Sequence, residues 1–171
     1  MKAVILGSFS GLNFGDSIVL KSAVSHICSI LGDNVSIVVP TSRPDFVKDF
    51  IDSSNITTVN IRWRSGVGVR FLRPSVINEV KEADVVFTTA GILFGYEWYD
   101  PRRNFLTTIL PLLWIARRNG TRVIGLYTGV TPPTSWAERW ILQKSLSMHN
   151  VIATRDRISH DIVSDLTNTP V

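Results

Sequence analysis

The chain has 171 residues, of which 44% are hydrophobic and 19% charged, with a formal charge of +4. That composition excludes disorder over most of the length, and a chain this long buries roughly 70% of its unfolded surface without staples. One cysteine, Cys28, excludes an intramolecular disulfide and a multi-cysteine zinc site, and fits a reducing, cytoplasmic location.

The chain alternates short β-rich runs with amphipathic segments. Residues 2–7 read as a first strand. Asp16 to Leu31 reads as a helix, with Leu20, Ala23, Val24, Ile27, Ile30 and Leu31 on one face and Gly32 placed for a left-handed cap. Val35 to Val39 is a second strand that Pro40 ends, followed by a helix over Pro44 to Ile51 and a third strand over Thr57 to Ile61. Residues 62–74 carry Arg62, Arg64, Arg70 and Arg73 with Gly66, Gly68 and Pro74, and read as a loop. Ser75 to Glu82 is a short helix, and Ala83 to Thr88 a strand buried on both faces. After a long loop over 89–103, Asn104 to Asn119 is a helix carrying Pro111 and stopped by Gly120. Arg122 to Leu126 is a fifth strand. Ser135 and Glu138 form a capping box for the next helix. Val151 to Thr154 is a sixth strand, and Asp156 caps a last helix to about Leu166.

This alternation predicts an α/β fold: one Rossmann-like domain over 1–171, with a doubly wound, mostly parallel six-stranded sheet of order 3-2-1-4-5-6. No secretion signal opens the chain, and the apolar stretch Phe105 to Ala116 is too short to span a bilayer. A helix resting on a membrane, with Trp114 buried and Arg117 and Arg118 at the headgroups, stays open as an alternative. The Arg-rich loop suits an anion such as phosphate or carboxylate. No nucleic-acid module is legible and the charge does not run along a helix, so no nucleic-acid partner is expected.

In such a sheet ligands bind beyond the carboxyl ends of the strands where the order reverses, between the first and fourth strands. The loops there are residues 7–16 and 89–100. The first leads glycines into a helix start, favouring an anion or a hydroxyl-rich ligand. Its spacing is not the dinucleotide fingerprint, which disfavours NAD and FAD; no Gly-Lys-Ser/Thr follows, so a P-loop is excluded, and no cofactor is expected. Asp16 is either a helix cap or a carboxylate that accepts a substrate proton. Asn13, with an amide beside glycines, is a candidate ligand. Ser17, in Gly15-Asp16-Ser17, is a weaker nucleophile candidate, because its partners Asp156 and His160 are spaced one residue too far. Glu97 and Asp100 sit among Tyr96, Trp98 and Tyr99, a pairing of carboxylates and aromatic faces that suits a sugar or serves as a lid. Tyr127, Thr128 and Gly129 follow the fifth strand at the same edge. Arg155 neutralises a phosphate or pairs with Asp156 or Asp161. His26 and His149 read as structural and His160 as solvated; no metal site is expected. Trp136 and Trp140, one turn apart, read as packing.

Four features stand in order: Asn13-x-Gly15-Asp16 after the first strand, Gly91 to Gly95 after the fourth, Gly125 to Gly129 around the fifth, and Thr154-Arg155-Asp156-x-x-Ser159 after the sixth. Together they resemble the N-terminal half of the polysaccharide pyruvyl transferase family. Ser17 stands where that family usually has an acidic residue, and the glycine run after the fourth strand is thinned to Ala90-Gly91. The resemblance implies one half of a two-Rossmann, GT-B-like enzyme of cell-surface polysaccharide biosynthesis. Such an enzyme moves the enolpyruvyl carbon of phosphoenolpyruvate onto two hydroxyls of a glycan or lipid-linked sugar, forming a cyclic ketal and releasing phosphate. It implies that this half presents the acceptor, with Asp16 as the catalytic carboxylate; Asn13, Gly15, Gly91, Glu97, Asp100, Tyr127 and Arg155 are then the candidate substrate contacts. The phosphoenolpyruvate-holding residues lie in a C-terminal half, absent here or replaced by a homodimer partner. Half of a GT-B glycosyltransferase, or a non-catalytic sugar- or partner-binding module, are the alternatives.

Overall fold

Short apolar, β-branched runs punctuated by amphipathic helices build a parallel sheet in the computed structural model, which describes residues 1–9, 13–51, 54–61, 69–89, 93, 99–100 and 104–171. The strands are β1 (Lys2–Leu6), β2 (Ser36–Thr41), β3 (Ile56–Asn60), β4 (Val85–Thr89), β5 (Arg122–Thr128) and β6 (Val151–Thr154). All pair in parallel in the order β3-β2-β1-β4-β5-β6, as expected. Between them run α1 (Phe14–Leu31), α2 (Pro44–Ile51), α3 (Pro74–Glu82), α4 (Leu106–Arg118), α5 (Trp136–Ser147) and α6 (Arg157–Leu166).

Strand alternation divides the core in two. Val4, Leu6, Val86, Val123 and Ile152 meet α3 to α6 through Val76, Leu112, Leu142 and Val163. Ala3, Ile5, Ile37, Val39 and Phe87 meet α1 and α2 through Leu20, Val24, Ile27 and Val47. The second layer stops short of the β5–β6 end, where Ile124 and Leu126 are only half-buried and Ala153 is exposed. Among the described residues α1 alone is long and apolar enough to cross a bilayer; here Leu20, Ala23, Val24 and Ile27 seat it on the sheet.

Several boundaries differ from the expected ones. Pro40 lies inside β2 and pairs with Val59. Ser36 donates to β1 and Ile37 towards β3, so Pro40, with the parity of Ser36, faces β1 beyond the last paired residues Val4 and Val38. Its missing N–H therefore breaks no ladder bond. Helix α1 starts at Phe14 rather than Asp16, and a short 3-10 turn, Val69–Leu72, lies in the stretch read as loop. Gly32 and Gly120 adopt positive φ of 83° and 76° after α1 and α4, where a side chain would be strained. Ser135 caps α5 through the Glu138 amide, but the buried Glu138 carboxylate reaches one residue further back, accepting from the Thr134 N–H and hydroxyl at 2.7 Å. Asp156 caps α6 by accepting from the Ser159 amide at 2.8 Å.

His149 is structural, as read. Its Nδ1 lies 2.9 Å from the Ser145 carbonyl, so that nitrogen carries the proton, and Nε2 accepts from the Thr88 hydroxyl at 2.8 Å. Burial lowers its pKa to about 4 from 6.5, because a cation there would lose its hydration. The unfolded chain therefore binds a proton that the folded one refuses. The stability this group confers is intact above about pH 6.5 and falls as pH drops towards 4, by about 1.4 kcal/mol per unit and about 3 kcal/mol in all. Urea unfolding across that window should show this loss, and His149→Gln should flatten the slope by that amount.

Candidate functional site

The order reverses between β1 and β4, where Leu6 pairs with Thr88, so the loops after these strands open at one sheet edge. Gly7 makes the first of them possible. A Cβ there would lie 2.3 Å from Phe9 Cζ and 2.6 Å from Thr89 Oγ1. Without it the Phe9 ring folds back into the core, and the Thr41 hydroxyl donates to the Phe9 carbonyl at 2.5 Å. The loop is thus anchored at its start. Where it enters α1, Asn13, Phe14 and Gly15 are exposed and Asp16 half-buried.

Asn13, not Asp16, is the cap. Its backbone is extended, and its Oδ1 accepts from the Gly15 amide at 3.0 Å. Asp16 falls in the first helical turn because Phe14 and Gly15 already have helical geometry. The Asn13 side chain also acts on the Asp16 carboxyl, favouring its charged form. Burial raises the Asp16 pKa, and Asn13 partly opposes the rise. Asn13, Gly15 and Asp16 thus form one unit, with Asp16 released from capping. Ser17 is buried and its hydroxyl donates to the Asn13 carbonyl at 3.3 Å, which removes it as an exposed nucleophile.

Of the remaining expected residues, Asp100, Tyr127 and Arg155 are described. The Asp100 carbonyl accepts from the Asn104 amide at 3.0 Å, one turn before α4. Tyr127, one residue before the end of β5, has its hydroxyl bonded to His26 Nδ1 on α1. Arg155 follows β6; its amide donates to the Thr128 carbonyl at 3.1 Å, and its Nε to Asp156 Oδ2 at 2.7 Å. The Ser159 amide and Arg155 both hold the Asp156 carboxyl below its ordinary pKa. Gly91 and Glu97 lie outside the described residues, as do Tyr96, Trp98, Arg62, Arg64 and the side chain of Arg70. The Arg73 guanidinium donates to the Asn60 carbonyl at 2.8 Å.

Two features escaped the sequence. The hydroxyls of Thr89 and Thr128, buried at the carboxyl ends of β4 and β5, have no hydrogen-bond partner among the described residues. His26, read as structural, is joined to Tyr127. A histidine on the outer flank of a helix carries no sequence signal for a partner 101 residues away. Trp136 and Trp140, read as packing, are 80% and 51% exposed, because α5 turns Leu142 and Leu146 inward instead. Trp114 is half-exposed with the Arg118 guanidinium 5.1 Å from its ring centroid, while Arg117 is held by Asn150. His160 is solvated, as read, with only a long contact to Asp161. Among the described residues no three His, Cys, Asp or Glu side chains are grouped to hold a metal.

The family model for polysaccharide pyruvyl transferase matches residues 13–170, from the capping asparagine to the penultimate residue. The chain belongs to the polysaccharide pyruvyl transferase family. No curated protein matches the chain. Among solved structures, a protein named as a UDP-N-acetylglucosamine 2-epimerase from Listeria monocytogenes has a similar fold, with a TM-score of 0.60 at 12% identity. The match covers 99% of this chain but only 42% of that one. The likeness is one of architecture, a Rossmann-like sheet within a longer chain. In this pyruvyl transferase domain the family match begins at Asn13, the first residue of the Asn13–Asp16 unit.

Asn13→Ala should lower stability by about 1 kcal/mol through the lost cap. It should also raise the Asp16 pKa further, since the side chain that opposes the rise is gone. Carboxyl NMR titration of Asp16 in the two proteins measures the shift, and an unmoved pKa would show that the pair is not coupled.

Proposed function

We propose that the chain is the acceptor-side half of a pyruvyl transferase that joins pyruvate, as a ketal, to two hydroxyls of a glycan or lipid-linked sugar, with phosphoenolpyruvate as donor. The family match over residues 13–170 carries the reading. The polar, half-open helix start at the strand-order reversal supports it.

In this reaction one sugar oxygen bonds to C2 of the enol phosphate while C3 gains a proton and becomes a methyl group. The second sugar oxygen bonds to the same carbon as the C2–O bond to phosphate breaks. Of the two hydroxyl protons, one is matched by that gained at C3 and the other is released with phosphate. Asp16 accepts the proton of the attacking hydroxyl. Its raised pKa makes it a stronger base than a solvated aspartate, and Asn13 fixes its orientation. Tyr127 and Asp100 flank the sugar, and the family resemblance adds Gly91 and Glu97 to its contacts. Arg155 contributes positive charge near the departing phosphate, its partner Asp156 holding it at the strand end.

The chain spans 42% of the structure it resembles, and we assign the phosphoenolpyruvate-binding residues to a second domain. We also place the reaction in the cytoplasm, the reducing compartment that a lone cysteine fits. The test is phosphate release from phosphoenolpyruvate by the two-domain enzyme with candidate sugars. Release that depends on the sugar is expected, whereas a requirement for a nucleotide sugar would mark a glycosyltransferase half instead. Asp16→Asn should lower kcat by about 10²- to 10⁴-fold without loss of folding. The 171-residue chain by itself should show no turnover.

A further inference from the structure

Alternation along β5 sends Val123 to the α3–α6 side and Ile124 and Leu126 to the α1 side. Tyr127 is therefore due on the side of Val123, but it lies on the other. It is the one non-glycine residue with positive φ among those described, at 51°, and the pairing of β5 with β6 slips between Gly125 and Thr128. Gly125 permits the slip, since a Cβ there would stand 2.7 Å from the Thr128 hydroxyl. The result turns the Tyr127 ring back over α1, 5.8 Å from the His26 ring, where the two are hydrogen-bonded. A left-handed tyrosine is unfavourable, and such outliers and bulges concentrate where a side chain is re-aimed for function.

The re-aimed tyrosine walls one end of a groove of about 570 Å³ running along the outer flank of α1. Ile18 and Val19 supply apolar surface, Ser22 and Ser25 hydroxyls, and Lys21 a cation; among the described residues no acid lines it. Lys21 is held at the rim with its ammonium 5.5 Å from the Phe50 ring centroid. Asp16 and Val19 are neighbours one turn apart, so the groove starts where the Asn13–Asp16 unit ends. A few convergent donors in a mostly apolar depression of this size are the usual makings of a small-molecule site.

We propose that this groove is a subsite for a negatively charged sugar. Lys21 meets its phosphate or carboxylate, Ser22, Ser25 and Tyr127 meet its hydroxyls, and Ile18 and the Tyr127 ring meet its C–H face. The choice of a sugar rests on the acceptor-side reading above; the charge is read from the groove itself.

Calorimetric titration of the chain with glucose 1-phosphate, glucuronate, glucose and inorganic phosphate tests it. The two anionic sugars should bind about tenfold or more tightly than glucose or phosphate, and more weakly as salt is added. Lys21→Met and Tyr127→Phe should each weaken them about tenfold, and Lys21→Met should abolish the salt dependence. Lys21 is exposed, so that variant keeps its fold. Equal affinity for glucose and the anionic sugars, inorganic phosphate binding as well as either, or indifference to both variants would overturn the proposal. Asp16→Asn separates the two readings. Binding lost there but kept in Lys21→Met rejects the groove and leaves the acceptor site standing. The reverse keeps the groove and rejects Asp16 as an acceptor contact. No binding by any probe rejects the groove and counts against the acceptor-side reading as well.

Discussion

A parallel strand cannot be joined to its neighbour by a tight turn, so each connection in this sheet must cross over its face. Starting from β1, the crossovers lead outwards through β2 and β3, then return across the sheet to β4 and continue through β5 and β6. The winding reverses once, between β1 and β4. Everything proposed for this domain depends on that reversal, because it places the Asn13–Asp16 unit at an opening rather than beneath a crossover.

The opening is chemically specific because local demands on the backbone were met with few groups. Gly7 admits the Phe9 ring, which anchors the loop on the core. Asn13 then satisfies a helix-start amide, and in doing so leaves Asp16 free of capping and half-buried. A carboxylate with raised pKa, steered by a neighbouring amide, is a base in a defined position. The same economy appears at the far end of α1. The Gly125–Thr128 slip trades regular pairing for a tyrosine on the α1 side of the sheet.

The two faces of the sheet are unequally covered. Among the described residues four helices lie on one and two on the other, so the β5–β6 end keeps a half-open surface beside α1. That asymmetry produces the groove at Tyr127, and it leaves the outer flank of α1 uncovered, with Phe14 and Ile18 exposed beside Ser22, Ser25 and His26.

Strand number, order and most helix spans were legible because hydrophobic period and Gly/Pro punctuation depend on neighbours close in sequence. Gly32, Gly120, Ser135 and Asp156 all acted where their local chemistry put them. Pro40 did not, because whether a missing N–H matters depends on which strand it faces. The shift of the cap from Asp16 to Asn13 likewise needed the geometry of Phe14 and Gly15. The sequence by itself determined the layered α/β architecture and the edge at which the polar residues gather, since both follow from period and turn chemistry. Only the tertiary structure decided which side of the sheet Tyr127 occupies and that His26 meets it, because a slip in strand pairing and a contact across 101 residues leave no trace in local pattern.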